Sequence, residues 1–314
     1  MKAARTFEAV VRRVDAHGCE VEPAGGGAAV FARVGSGLHR GRRGERSPMA
    51  PGDRVVVAEA DGGSSIQEVL PRRSRFLRES SSGGRPQVLA ANVDLVIAVL
   101  QCAEPEPNPR LADRVLVAAA SEDVEGVVMI TKADLAPAGV LEDLESLYRR
   151  AGVRTAVVSV VAGRGVGEAE ALLRGRTSVL VGPSGAGKTT ILSRLLGVAG
   201  SDLLIGAVNP KTGKGRHTTT AGRLLPYPGG GWVVDTPGVR TLALGGMRPA
   251  DVALHFPDLA RVGPCRFADC SHTVEPGCAL DAAAARGDVD PRRLESFRAI
   301  ARQIAEDESR RRGW

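Results

Sequence analysis

Two short motifs, arranged in an unusual order, constrain this chain more than any other feature. Gly182-Pro183-Ser184-Gly185-Ala186-Gly187-Lys188-Thr189 has the G-x-x-x-x-G-K-[ST] form of a phosphate-binding loop. Thr131-Lys132-Ala133-Asp134, well upstream of it, nearly matches the guanine-reading N-K-x-D element. In an ordinary domain of this kind the base-reading element follows the phosphate loop. Here it precedes it, so the order implies an α/β sheet whose strands are joined in circularly permuted sequence.

The loop has a clear physical logic. Its glycines let backbone N–H groups wrap the α- and β-phosphates, and the helix that follows presents its N-terminus to the anion. Lys188 would neutralise β/γ oxygens, Thr189 would ligate Mg²⁺, and Thr190 lies beside them. Asp134 can accept two hydrogen bonds from guanine N1–H and the exocyclic amine, which adenine does not offer. Lys132 would lie over the base. Thr131 has only a hydroxyl where Asn is usual, so some loss of loop rigidity or affinity is expected. Ser159, after the next strand, is a candidate to place a backbone N–H at guanine O6.

Asp235-Thr236-Pro237-Gly238 fits a D-x-x-G element at the end of an apolar run. There Asp235 would reach Mg²⁺ through water, and the Gly238 N–H would sense the γ-phosphate. Between it and the phosphate loop lies Gly213-Lys214-Gly215-Arg216-His217-Thr218-Thr219-Thr220, which is polar, basic and glycine-flanked. Thr219 is the favoured residue to complete the Mg²⁺ sphere, with Thr218 and Thr220 close behind. Position 239, where a water-orienting Gln is common, is Val239. Hydrolysis must then use another group, and His217 is the candidate in this chain.

Cys265-x4-Cys270-x-His272-x5-Cys278 offers three thiolates and an imidazole. That set closes a tetrahedral Cys₃His zinc site with no open position, so one structural Zn²⁺ per chain is expected. The two remaining cysteines, Cys19 and Cys102, are isolated. The pattern suits a reducing compartment rather than a disulfide framework.

Residues 1–75 read as short β-rich segments (6–11, 29–32, 54–58 and 66–70) separated by Gly- and Arg-rich loops, which suggests a small OB-like β-barrel. They carry 13 Lys and Arg against 9 Asp and Glu, most of the chain's net charge of +6, and the loop 39–46 is strongly basic. Residues 76–245 alternate strands (93–100, 127–130, 156–159, 178–181, 232–234) with helices (110–120, 140–150, 189–196), as an α/β nucleotide fold requires. Residues 246–314 hold the Cys/His cluster and a final helix, about 291–311. No apolar run approaches the ~18–20 residues of a membrane span, and the N-terminus lacks an apolar signal core. The cytoplasm is the expected compartment.

With these residues assembled, the chain resembles the RsgA (YjeQ) family of circularly permuted GTPases that act in small-ribosomal-subunit biogenesis. The resemblance is carried by Pro51-Gly52-Asp53-Arg54-Val55, Ala91-Asn92-Val93-Asp94, the permuted motif order, Gly215-Arg216-His217-Thr218-Thr219-Thr220, Asp235-Thr236-Pro237-Gly238-Val239-Arg240 and the Cys/His cluster. It implies an OB domain, a permuted G domain and a C-terminal zinc domain. It further implies binding to the 30S subunit and its 16S rRNA late in maturation, hydrolysis stimulated by the subunit and favouring release, and a catalytic role for His217. A monomer is expected, with no membrane partner. With aromatics at 3% of the chain, the barrel suits phosphate contacts better than base stacking. The alternative is a GTP-dependent rRNA-binding module with little hydrolytic activity. An unrelated P-loop ATPase or kinase is disfavoured by Asp134 and the threonine-rich switch.

Overall fold

The computed structural model describes residues 5–35, 38, 49–78, 86–199, 222–235, 242–244, 247–273 and 275–312. The basic loop 39–46, the segment 213–220 with His217 and Thr219, and residues 236–240 with Gly238 lie outside them. So does the side chain of Asp235. Among the described residues no helix is long and apolar enough to cross a membrane.

The first strands are β1 (Arg5–Asp15), β2 (Gly18–Pro23), β3 (Val30–Val34), β4 (Arg54–Ala60) and β5 (Gly63–Val69). They close into a barrel in the order β1-β2-β3-β5-β4. β1 pairs with β4 through its first half and with β2 through its second, and a register shift between Val11 and Arg13 bends it to do so. Alternation sends Ala9, Val11, Cys19, Val21, Val55, Val57 and Ile66 inward to form the barrel core. The expected barrel is present, but β2 was not among the expected strands. Its Glu20 and Glu22 mask an alternating Cys19/Val21 face.

A short antiparallel pair, β6 (Arg75–Arg78) and β7 (Gln87–Ala91), follows the barrel. Here the two segments Pro51–Asp53 and Ala91–Asp94 turn out to be one structural clasp. The Ala91 N–H donates to Pro51 O at 2.8 Å, and Asn92 Nδ2 donates to Gly52 O at 2.8 Å. Asn92 Oδ1 in turn accepts the Arg73 N–H at 2.9 Å. Gly52 has φ +91, and a Cβ there would stand 2.1 Å from Ala91 O, so only glycine permits the approach. The buried Asp53 carboxylate takes two 2.7 Å bonds from Arg72 and one of 2.8 Å from the Ala50 N–H. Two residues further on, Asp94 exchanges backbone and side-chain bonds with Thr177 at 2.8 and 2.9 Å. The clasp thereby reaches the start of the strand that leads into the phosphate loop.

The remaining strands are β8 (Leu95–Gln101), β9 (Glu125–Thr131), β10 (Arg154–Val158), β11 (Arg176–Val181), β12 (Arg223–Pro226) and β13 (Gly231–Asp235). They form one sheet in the order β10-β9-β8-β11-β13-β12. All seven residues of β8 are buried, which accounts for its near-continuous apolar sequence. Helices α1 (Pro109–Ala120), α2 (Val140–Arg150), α3 (Val166–Leu173) and α4 (Lys188–Leu196) alternate with these strands. α1 starts where Asn108 Oδ1 accepts the Leu111 N–H at 3.1 Å and Pro109 occupies the first turn. α2 carries Glu142 and Asp143 in its first turn and Arg149 and Arg150 in its last, which complements its dipole. α3, β6 and β7 were not expected from the sequence.

Helices α5 (Ala279–Arg286) and α6 (Pro291–Arg312) end the chain. By contact density the chain divides into two compact units, 1–95 with 167–181 and 188–243, and 96–166 with 182–187 and 244–314. The first holds the barrel, β11 and β13. The second holds β9, β10, the tip of the phosphate loop and the Cys/His cluster.

Candidate nucleotide site and metal centre

Parallel pairing brings the candidate base-reading segments together. β9 and β10 run in register with Thr131 opposite Val158, so residues 131–134 and Ser159 leave the sheet at one edge. Lys132 has φ +60, and Ala133–Leu135 then form a 3₁₀ turn that lifts Asp134 into the open. Asp134 is exposed, and its Oδ1 accepts a 2.5 Å hydrogen bond from the buried Ser159 hydroxyl. That bond orients the carboxylate. The Ser159 N–H donates instead to Arg164 O at 3.0 Å, so the expected donor to guanine O6 is already engaged. What Ser159 gives Asp134 is its hydroxyl.

Thr131 reaches across to the phosphate loop. Its hydroxyl is buried and donates to Ala186 O, in the phosphate loop, at 2.8 Å. The threonine side chain, though shorter than an asparagine, reaches that carbonyl. Cys102, at the end of β8, adds support that sequence reading missed. Its thiol donates to Thr131 O at 3.0 Å and to Lys132 O at 3.3 Å. Burial is the main cause raising its pKa, with Asp134 adding to the rise. The Lys132 ammonium donates to Glu104 O in the β8–α1 loop.

The phosphate loop follows β11, as expected. A Cβ on Gly182 would stand 2.5 Å from Val99 O, and Gly185 and Gly187 hold φ of +80 and +86. Ala186 is fully buried, whereas Ser184, Thr189 and Thr190 are exposed to an incoming ligand. No acidic residue occupies the first turn of α4, so its N-terminal dipole is left for an anion. Burial lowers the pKa of Lys188, and a phosphate beside it would act in the opposite direction, favouring the charged form. β13 runs parallel to β11 with Val234 opposite Val179, which delivers Asp235 to the sheet edge where that loop begins.

The cysteine cluster is assembled. The ligand atoms of Cys265, Cys270, His272 and Cys278 all lie within 4.8 Å of one another. Cys265 Sγ is 3.2 Å from His272 Nδ1 and 3.9 Å from Cys278 Sγ, and the Cys278–His272 distance is 3.5 Å. Tetrahedral zinc with bonds of about 2.0–2.3 Å separates such atoms by roughly 3.5–3.8 Å, so the set fits that ion. The Ala279 N–H donates to Cys265 Sγ at 3.2 Å, an outer bond that holds this ligand in place. The His272 ring packs edge-on to Phe297 of α6, and its carbonyl accepts Arg298 Nε at 2.9 Å.

α6 is anchored by a residue that sequence reading did not single out. Arg293, only 1% exposed, donates to both Asp258 oxygens at 2.9 and 3.1 Å and to Asp113 of α1. Its guanidinium also lies 4.5 Å from the centre of the Phe256 ring.

Comparison with known proteins agrees with this geometry. Residues 69–245 match the family described as RsgA GTPase. The small ribosomal subunit biogenesis GTPase RsgA of Azotobacter vinelandii is 43% identical over 267 residues, 83% of this chain and 76% of that protein. Its counterpart in Chlorobaculum tepidum is 36% identical over 312 residues, 96% of this chain and 99% of that one. The crystal structure of YjeQ from Thermotoga maritima superposes with a TM-score of 0.75 at 26% identity, covering 96% of this chain and 99% of that one. YloQ, described as a circularly permuted GTPase, shares the fold with a TM-score of 0.70 at 21% identity, covering 96% of each chain. With its permuted motifs, closed barrel and Cys₃His cluster in place, this chain belongs to the RsgA GTPase family.

Proposed function

We propose that this GTPase acts in late maturation of the 30S ribosomal subunit, that the subunit accelerates its hydrolysis of GTP, and that hydrolysis promotes release. The observation that carries the reading is the joining of the base loop to the phosphate loop through Thr131 and Ala186, within a chain of this family. Asp134, held by Ser159, selects guanine, and Lys132 covers the base. Residues Gly182–Thr190 hold the phosphates, with Lys188 supplying the charge and Gly238 sensing the γ-phosphate.

Thr189 and Asp235 offer the hard oxygen donors that Mg²⁺ prefers, and Thr219 completes the set from the switch segment. When bound, that ion neutralises charge developing on the β/γ oxygens. Val239 cannot orient water, so His217 is the residue of this chain to accept a hydrogen bond from the attacking water. Cys265, Cys270, His272 and Cys278 hold one zinc whose part is structural. The partner surface is 16S rRNA, met by the basic barrel, and the protein acts as a cytoplasmic monomer. GTP turnover with and without purified 30S subunits tests the reading. Stimulation is expected, whereas equal slow turnover in both would favour an RNA-binding module that barely hydrolyses.

A further inference from the structure

We propose that Arg266 and Phe267, on the loop between Cys265 and Cys270, form an RNA contact in which one unpaired base stacks on the phenyl ring and a neighbouring phosphate meets the guanidinium. The inference rests on the reading that rRNA is the partner of this chain. Of the six phenylalanines, Phe76, Phe256 and Phe297 are fully buried, and Phe7 packs against the barrel core. Phe267 is 43% exposed and forgoes much of the stability that burying a phenyl ring brings. Phe31 is comparably exposed, but it stands opposite Glu20 on the neighbouring strand, where a carboxylate would repel a phosphate.

The ring is presented by a fixed frame. Phe267 O accepts the Cys270 N–H at 3.3 Å, which closes a turn between the two cysteines. Cys270 and Cys278 are buried, the His272 ring packs on Phe297, and Glu275 accepts the Ser271 N–H at 2.9 Å. A platform ordered in advance loses little entropy when a base settles on it. Arg266 lies beside the ring with its guanidinium carbon 5.5 Å from the ring centre. Arg248, Arg286, Arg292, Arg293 and Arg298 each pair with a carboxylate. Among the described residues Arg266 has no such partner, so its charge is left for an anion. The π-face accepts any base, and the uncommitted cation accepts the phosphate. An apolar protein surface would instead have to bury that guanidinium unpaired, at a cost that offsets the gain from the ring.

The probe is a uridine decamer RNA with one central 2-aminopurine, whose fluorescence is quenched when that base stacks on an aromatic ring. It is titrated into the full chain, purified without chelator, and binding to purified 30S subunits is measured alongside. The parent is expected to bind both and to quench the probe. Phe267→Leu keeps an apolar side chain without a π-face. It should abolish the quench and weaken probe binding about tenfold, the worth of one stacked base. Phe267→Tyr should retain both. Arg266→Gln should keep the quench at saturation and reduce the slope of log K against log salt by about 0.7, the share of one phosphate on a single strand. Metal content and GDP affinity should match the parent throughout. A Phe267→Leu chain that still quenches the probe would overturn the inference, and so would one that loses its metal, because the ring would then be packing for the loop. Weakened 30S binding with the probe unaffected would assign the ring to a ribosomal protein instead. A parent that does not bind 30S subunits would overturn the reading of rRNA as partner. One that binds them yet leaves the probe bright would overturn only the stack.

Discussion

Replacing Arg293 should cost more stability than almost any other single change in the chain. Its side chain joins Asp113 on α1 to Asp258, all three buried, and covers the Phe256 ring. Arg293→Ala removes three charge-assisted hydrogen bonds and leaves two carboxylates without their cation. Breaking a buried pair from one side costs roughly 3–5 kcal/mol, mostly because the stranded charge cannot regain water. The triple variant Arg293→Met with Asp113→Asn and Asp258→Asn buries no net charge and should lie within about 2 kcal/mol of the parent. Urea unfolding followed by circular dichroism supplies the magnitudes. Hydrogen exchange should show α1 and α6 losing protection together in the single variant. A loss under about 1 kcal/mol in Arg293→Ala, or a triple variant no better than the single one, would refute the argument that stranded charge dominates.

Asp134→Asn should lower guanine affinity by roughly a hundredfold or more and shift preference towards xanthine nucleotides, whose C2 carbonyl an amide can satisfy. Competition binding with GDP and XDP checks it. Zinc should copurify at one ion per chain by elemental analysis, and Cys270→Ser should unfold the segment after 245 while GDP binding persists. His217→Ala should lose about 10²–10⁴-fold of subunit-stimulated turnover, with GTP affinity changed only a few-fold. Single-turnover hydrolysis on 30S subunits measures this, and parent-like rates would move catalysis to a ribosomal group.

Local chemistry was legible in the sequence, and contacts between distant segments were not. The phosphate loop, the Asp134 loop and the Cys/His cluster each place their chemistry within a few consecutive positions, so spacing alone exposes them. The grip of Thr131 on Ala186 spans 55 residues, and a threonine after a strand carries no mark of it. Ser159 was singled out, yet for its N–H, because the turn that commits that N–H to Arg164 depends on loop closure. Arg293 sits among charged neighbours in a helix that reads as a solvated face, and its partners lie 35 and 180 residues away. β2 escaped notice because its outward residues are acidic, while β8 was plain because it is buried on both faces.

The clasp around Gly52 bears on how such a protein can be dissected. Asn92 completes its hydrogen bonds with Gly52 and Arg73, and Asp94 completes its own with Thr177 and Arg73. A truncation that removes the barrel would take Gly52 and Pro51 away from Asn92 and Ala91 and so strip one side of that clasp. Weak nucleotide binding in such a fragment would record the broken clasp together with the loss of the barrel itself. The barrel is not a detachable cassette. Substituting exposed side chains such as Arg5 or Arg33 leaves the clasp whole, and so tests the barrel's surface apart from nucleotide chemistry in a way that cutting the chain does not.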